Sequence, residues 1–85
     1  MTSEEVRLFN LARRYAERKY RFLLTELRFD RTSGSRTLIF NDPEEPSQMT
    51  RQVTVFEDQF RETVAANELS PATTQNINDA LGDKA

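Results

Sequence analysis

The chain has 85 residues and a formal net charge of −2, with no cysteine and no histidine. That composition excludes disulfides, thiolate or imidazole metal sites and a histidine general base, and a single core of this size supplies only ~3–5 kcal/mol, leaving oligomerisation as the available compensation. No apolar run approaches the ~20 residues of a membrane span, and the acidic start Met1-Thr2-Ser3-Glu4-Glu5 is unlike a signal peptide, so a cytoplasmic protein without membrane contact is expected.

Ser3 before Glu4 and Glu5 predicts a helix start, with a hydroxyl to cap free N–H groups and acids at the positive end of the dipole. Apolar residues then recur in two adjacent rows. Val6, Phe9, Ala12, Ala16, Tyr20, Leu23 and Leu27 form one; Leu8, Leu11, Tyr15 and Phe22 form the other. Together they span roughly 200° at helical spacing. A surface helix needs a stripe only a little over ~100° wide. The helix is therefore expected to be covered by its own chain on one side and by a second copy or another protein on the other. Its end is expected between Leu23 and Phe29.

Thr25 to Arg31 alternates apolar and polar residues, Thr32-Ser33-Gly34-Ser35 is a turn cluster, and Arg36-Thr37-Leu38-Ile39-Phe40 is β-rich, which together predict a hairpin. Asn41 to Ser47, with Pro43 and Pro46, is a loop. Arg51 to Phe56 predicts a third strand, antiparallel to residues 36–40. Thr54-Val55-Phe56-Glu57 has the form of a capping box for a helix from Glu57 to about Glu68. A rival reading runs one helix from Ser47 through Met49, Val53, Phe56, Phe60 and Val64. Ser70-Pro71 opens a last short helix that Gly82 stops, and Asp83-Lys84-Ala85 is expected to fray beyond a single domain of residues 1–82. The expected class is α+β: a long N-terminal helix, a three-stranded antiparallel sheet and one or two C-terminal helices. The alternative is a mostly α helical hairpin.

The charge pattern carries the functional reading. Residues 1–36 hold nine basic and five acidic side chains, and residues 37–85 hold three and nine. Such asymmetry points to an anionic partner, or to halves or copies that complement each other. Arg7, Arg14, Arg18, Arg21 and Arg28 would share an arc of roughly 80° on a continuous helix, with Glu17 placed to pair with Arg21. Five phenylalanines, Phe22, Phe29, Phe40, Phe56 and Phe60, are assigned to the core. Phe9, Tyr15 and Tyr20 are assigned to an interface, because Tyr joins an apolar body to a polar tip. The partner-binding residues are thus Arg7, Arg14, Arg18, Arg21, Arg28, Phe9, Tyr15 and Tyr20.

No catalytic, cofactor or metal site is expected. A serine nucleophile has only Lys19 and Lys84 as bases to draw on, and Asp42-Pro43-Glu44-Glu45 lacks the ligand count and turn glycine of a calcium loop. The order α-β-β-β-α is that of double-stranded-RNA-binding domains, but Glu57, Asp58 and Glu62 would repel phosphates from the second helix, and the family is not assigned. The expected function is a non-catalytic interaction or assembly protein that self-associates through its first helix, with a protein partner and no small-molecule substrate. The alternatives are a nucleic-acid-binding accessory protein using the Arg stripe, and a small acidic inhibitor of a basic groove.

Overall fold

Helix α1 (Ser3–Lys19) opens from Thr2. The Thr2 hydroxyl accepts from the Glu5 N–H at 3.1 Å, and the Glu5 carboxylate accepts from the Thr2 N–H at 2.9 Å. Ser3, expected in this role, has Val6 three residues on and so no acid to return the bond; Thr2 has Glu5. The computed structural model describes residues 1–45, 47 and 49–82. The expected fraying of 83–85 lies outside them.

The first helix stops earlier than its periodicity suggests. Tyr20 caps it, and Arg21 turns the chain with φ at 61°. The chain reverses so that Phe22 and Leu24 are buried, and β1 (Leu23–Phe29) gives its backbone hydrogen bonds to a sheet instead of a helix. Leu27 and Arg28 therefore lie on a strand, as the alternation of residues 25–31 predicts. A turn in which Gly34 adopts φ 75° leads into β2 (Arg36–Asn41), and β3 (Arg51–Val55) follows the loop. The sheet order is β1-β2-β3, antiparallel throughout.

Residues 36–40 pair with 51–55 in the register Arg36↔Val55, Leu38↔Val53 and Phe40↔Arg51. This excludes the rival helix: Val53 and Val55 are buried while Gln52 and Thr54 are exposed, a period of two. On the other side, Leu24 faces Phe40, Leu27 faces Leu38 and Phe29 faces Arg36, with an irregularity between Leu24 and Glu26.

Helix α2 (Glu57–Ala66) takes Phe56 as its cap residue. The expected capping box is shifted and half made: the Phe56 N–H donates to the Gln59 side chain at 3.1 Å, and Phe56 has no acceptor to reciprocate. Asn67, left-handed at φ 55°, ends the helix. In α3 (Pro71–Leu81), Ser70 accepts from the Thr73 N–H at 3.2 Å, Pro71 occupies the first turn and Gly82 caps the end. The fold is α+β. One cluster joins Leu8, Ala12 and Ala16 of α1, Phe60 of α2, and Ile77 and Leu81 of α3 to the inner face of the sheet. The described helices thus share one face, and none is long and apolar enough to cross a membrane.

Arg36 sits on that inner face, with a side chain only 8% exposed. Its Nε donates to the Glu5 carboxylate at 3.0 Å, and its Nη1 donates to Glu57 and, at 3.2 Å, to the Gly34 carbonyl. The guanidinium lies 3.8 Å from the centre of the Phe60 ring and 4.8 Å from that of Phe29. Arg61 extends the network, donating to Glu57 at 3.0 Å and to Glu4 at 2.9 Å. Phe60, Phe22 and Phe40 are core residues as expected, but Phe29 is 49% and Phe56 53% exposed. Phe29 stands at the end of β1, where its ring covers a cation and water reaches its other side. Phe56 is spent on the entry to α2.

Burial costs the charges of Arg36 and Glu5 their hydration, and only mutual pairing compensates them. Arg36→Met leaves the Glu5 carboxylate buried without its cation, and the expected loss is about 3–5 kcal/mol, much of the stability of a chain this short. The double variant Glu5→Gln/Arg36→Met should recover a large part of it. Urea unfolding followed by circular dichroism reads both.

The Thr2 N–H first and Arg36 second hold Glu5 below the ordinary glutamate value of 4.5, and Arg36 then Arg61 do the same for Glu57. Folded values below unfolded ones mean that this stability is present above the unfolded value and is lost as pH falls through the folded ones. Unfolding midpoints should therefore hold from neutral pH down to about 5 and fall steeply below ~4. Glu5→Gln should flatten the fall more than Glu57→Gln, because Glu57 is half exposed and screened by water.

Candidate partner-binding groove

Helix α1 shows three faces. Leu8, Ala12 and Ala16 are wholly buried, Phe9, Leu11 and Tyr15 are half-buried on the flanks, and Arg7, Arg14 and Arg18 point outward. Between this outer face and the α2–α3 corner runs an open groove. Its wider part, about 450 Å³, is lined by Ser3, Val6, Arg7, Asn10, Leu11, Arg14 and Asn67. A narrower part of about 240 Å³ follows, lined by Leu11, Arg14, Tyr15, Arg18, Glu68 and Leu69. Leu11 and Arg14 border both, so the two parts adjoin along α1. The corner is available as a wall because Asn67 turns the chain sharply between the helices.

The sequence expects five arginines on one stripe, and the structure brings three of them together. Arg7, Arg14 and Arg18 stay within about 40° of one another around α1. Arg21 lies past the helix end, in the turn, so its expected pairing with Glu17 is not made. Arg28 lies on β1 and bonds Glu26 at 2.7 Å. Arg7 reaches the Val64 carbonyl at 3.5 Å, the limit of a hydrogen bond. Arg14 and Arg18 have no hydrogen-bond or ion-pair partner among the described residues. Two unpartnered guanidiniums one helical turn apart, with a third two turns away, form a concentrated positive face beside an apolar strip.

The aromatic members of the expected interface are used inside the chain. The hydroxyls of Tyr15 and Tyr20 donate to Asn78 Oδ1 at 2.7 and 2.6 Å, and Lys19 Nζ donates to the same oxygen at 3.2 Å. The Lys19 ammonium lies 5.5 Å from both ring centres. Its hydrogen bond to the Tyr15 hydroxyl holds its pKa above the ordinary lysine value. Phe9 packs against the core. The wide apolar arc of α1 is thus largely covered by the sheet and by α2 and α3; Val6, 40% exposed, is the main remainder.

Two polar constellations escaped the sequence reading: the pairing of Glu5, Arg36 and Glu57, and the convergence on Asn78. Arg36 carried a signal, since residues 36, 38 and 40 share a strand face and the other two are apolar. Asn78 carried none, because nothing in a sequence brings position 78 to positions 15 and 20. Among the described residues, no three acidic side chains gather as a metal site. The arrangement can hold an anion by charge and an apolar side chain by Leu11. Comparison with protein-family models, with curated proteins and with solved structures returns no match.

Removing the shared acceptor should loosen α1 from α3. Asn78→Ala leaves two part-buried hydroxyls without their partner, for an expected loss of about 1–3 kcal/mol. Tyr15→Glu should likewise lower stability, because Tyr15 belongs to the folded monomer. Thermal unfolding of each variant measures the effect.

Proposed function

We propose that this chain is a non-catalytic interaction module that holds an acidic segment of a partner protein in the groove along α1. One observation carries the reading. Arg14 and Arg18 stand unpartnered beside Arg7 on one face of a helix anchored at both ends, whereas Arg28, Arg36 and Arg61 are all paired with carboxylates. The groove adds the apolar body of Leu11 between the cations. Arginine suits carboxylates because its planar fork donates two parallel hydrogen bonds.

A protein partner is favoured over nucleic acid by the groove's own charges. Glu68 stands on its wall, and the whole chain is anionic. A phosphate backbone, charged at every nucleotide, would meet that repulsion along its whole length, whereas a peptide can set a neutral side chain opposite Glu68. A second copy docked by two-fold symmetry through this face would set three arginines against three arginines. A second copy offering its acidic half instead would make a head-to-tail contact, which propagates unless the rotation closes.

The test is fluorescence anisotropy with a labelled glutamate-rich peptide and a labelled single-stranded DNA at low salt, together with the molar mass of the protein in solution. The peptide should bind, weaken as salt passes about 0.1 M, where charges are screened beyond ~10 Å, and bind tighter than the DNA. Arg14→Glu/Arg18→Glu should cost at least about tenfold in affinity while lowering the unfolding midpoint only slightly, since neither side chain is paired and Arg18 loses only its favourable place in the last turn of α1. Peptide affinity that survives the reversal overturns the reading. DNA binding tighter than peptide binding moves it to nucleic acid, and a mass above one chain that collapses with salt makes the second copy the partner.

A further inference from the structure

The row that α1 presents to the groove has a helical period. Arg7, Leu11, Arg14 and Arg18 follow at intervals of four, three and four residues. That is the alternation by which one helix keeps a continuous seam against another wound beside it. At a rise of ~1.5 Å per residue the seam is about 16 Å long, with contacts ~6, ~4.5 and ~6 Å apart. An extended segment places same-face side chains every ~6.7 Å and falls out of step with such a row within two contacts. A helix carries the same spacing itself.

Resting on the acidic-segment reading, we infer that the groove takes an acidic amphipathic helix of another protein, laid antiparallel to α1. Its carboxylates stand at i, i+4 and i+11, opposite Arg18, Arg14 and Arg7, and an apolar side chain at i+7 meets Leu11. Antiparallel packing brings the positive end of the partner's dipole to the negative end of α1. It also puts the partner's first two carboxylates near its own N-terminus, where they are favoured. This chain carries no such helix among its described residues: α2 offers Asp58 and Glu62 at the first two positions, but the fourth falls on Leu69, beyond its end. The occupant is therefore a foreign helix.

Four labelled peptides of about 20 residues, equal in composition where the design allows, test this by anisotropy at low salt with the intact protein. One carries the row above. A second scatters its glutamates around the helix, a third places a proline at its centre, and a fourth runs the row in the parallel sense, with glutamates at i, i+7 and i+11. The row peptide should bind at least about tenfold tighter than the other three, and Arg14→Glu/Arg18→Glu should abolish that advantage. Equal binding of the scattered or the proline peptide overturns the helical inference and leaves the acidic groove standing. Tighter binding of the parallel row overturns the orientation. If none of the four binds, the acidic groove itself falls.

Discussion

The fold depends on one buried cation. Arg36 joins the first turn of α1, through Glu5, to the first turn of α2, through Glu57, and it does so from the middle strand of the sheet. Phe60 and Phe29 close over the guanidinium, so its planar faces meet rings and its edge meets carboxylates. Lysine offers neither the fork nor the flat face. A buried ion pair adds little to net stability against a well-packed apolar substitute, so its consequence here is geometric. A one-residue slip of β2 would send Arg36 to the outer face and leave two carboxylates facing apolar residues. The pairing of charges thus fixes strand register and the placement of both helices at once.

Helix α1 is held at its other end by a different device. Tyr15, Tyr20 and Lys19 converge on one side-chain oxygen of α3. The two anchors lie near the two ends of the stretch that lines the groove, Glu5 in its first turn and Tyr15 and Lys19 around Arg18. Arg7, Arg14 and Arg18 therefore project from backbone that would not have to order to receive the proposed partner. Such binding would cost the rotamer freedom of the side chains and little else from this side, which is what preorganisation means energetically.

Most of the fold was legible because its signals are local. Alternation at 25–31, 36–40 and 51–56, the Ser-Gly-Ser turn and the Ser70-Pro71 start each act within a few residues. The helix end was not legible, because Leu23 and Leu27 satisfy a helical period and a strand period alike. Only the gain from burying Phe22 and pairing β1 with β2 decides between them. Phe29 and Phe56 show the limit of reading large apolar residues as core, since one covers a cation and the other caps a helix. Glu5 and Arg36 were legible in principle. Glu5 falls on the helical face of Leu8, Ala12 and Ala16, and Arg36 on the strand face of Leu38 and Phe40. Each is a charge at a core position, and two such charges of opposite sign are a pair waiting to be matched. Counting charges by halves of the chain hid this, because it set Arg36 with the outward-facing arginines.

The spatial arrangement replaces that linear asymmetry with a different one. Acidic residues of the C-terminal half serve the fold at Glu57, and basic residues of the N-terminal half serve it at Arg36 and Lys19. Among the described arginines without a carboxylate or hydrogen-bond partner, Arg14 and Arg18 are adjacent on a helix and of like sign, while Arg21 and Arg31 lie apart in turns. In an isolated helix that adjacency costs a few tenths of a kcal/mol, and no described carboxylate forms an ion pair with either, although Glu68 lines the same groove. Their packing role is equally small, because both are exposed. The proposed acidic partner would complete the relief from outside the chain. On the proposed reading, a carboxylate laid between two guanidiniums one turn apart would lower their repulsion as it forms its own bonds, so part of the energy of binding would be the release of a strain that folding leaves in place.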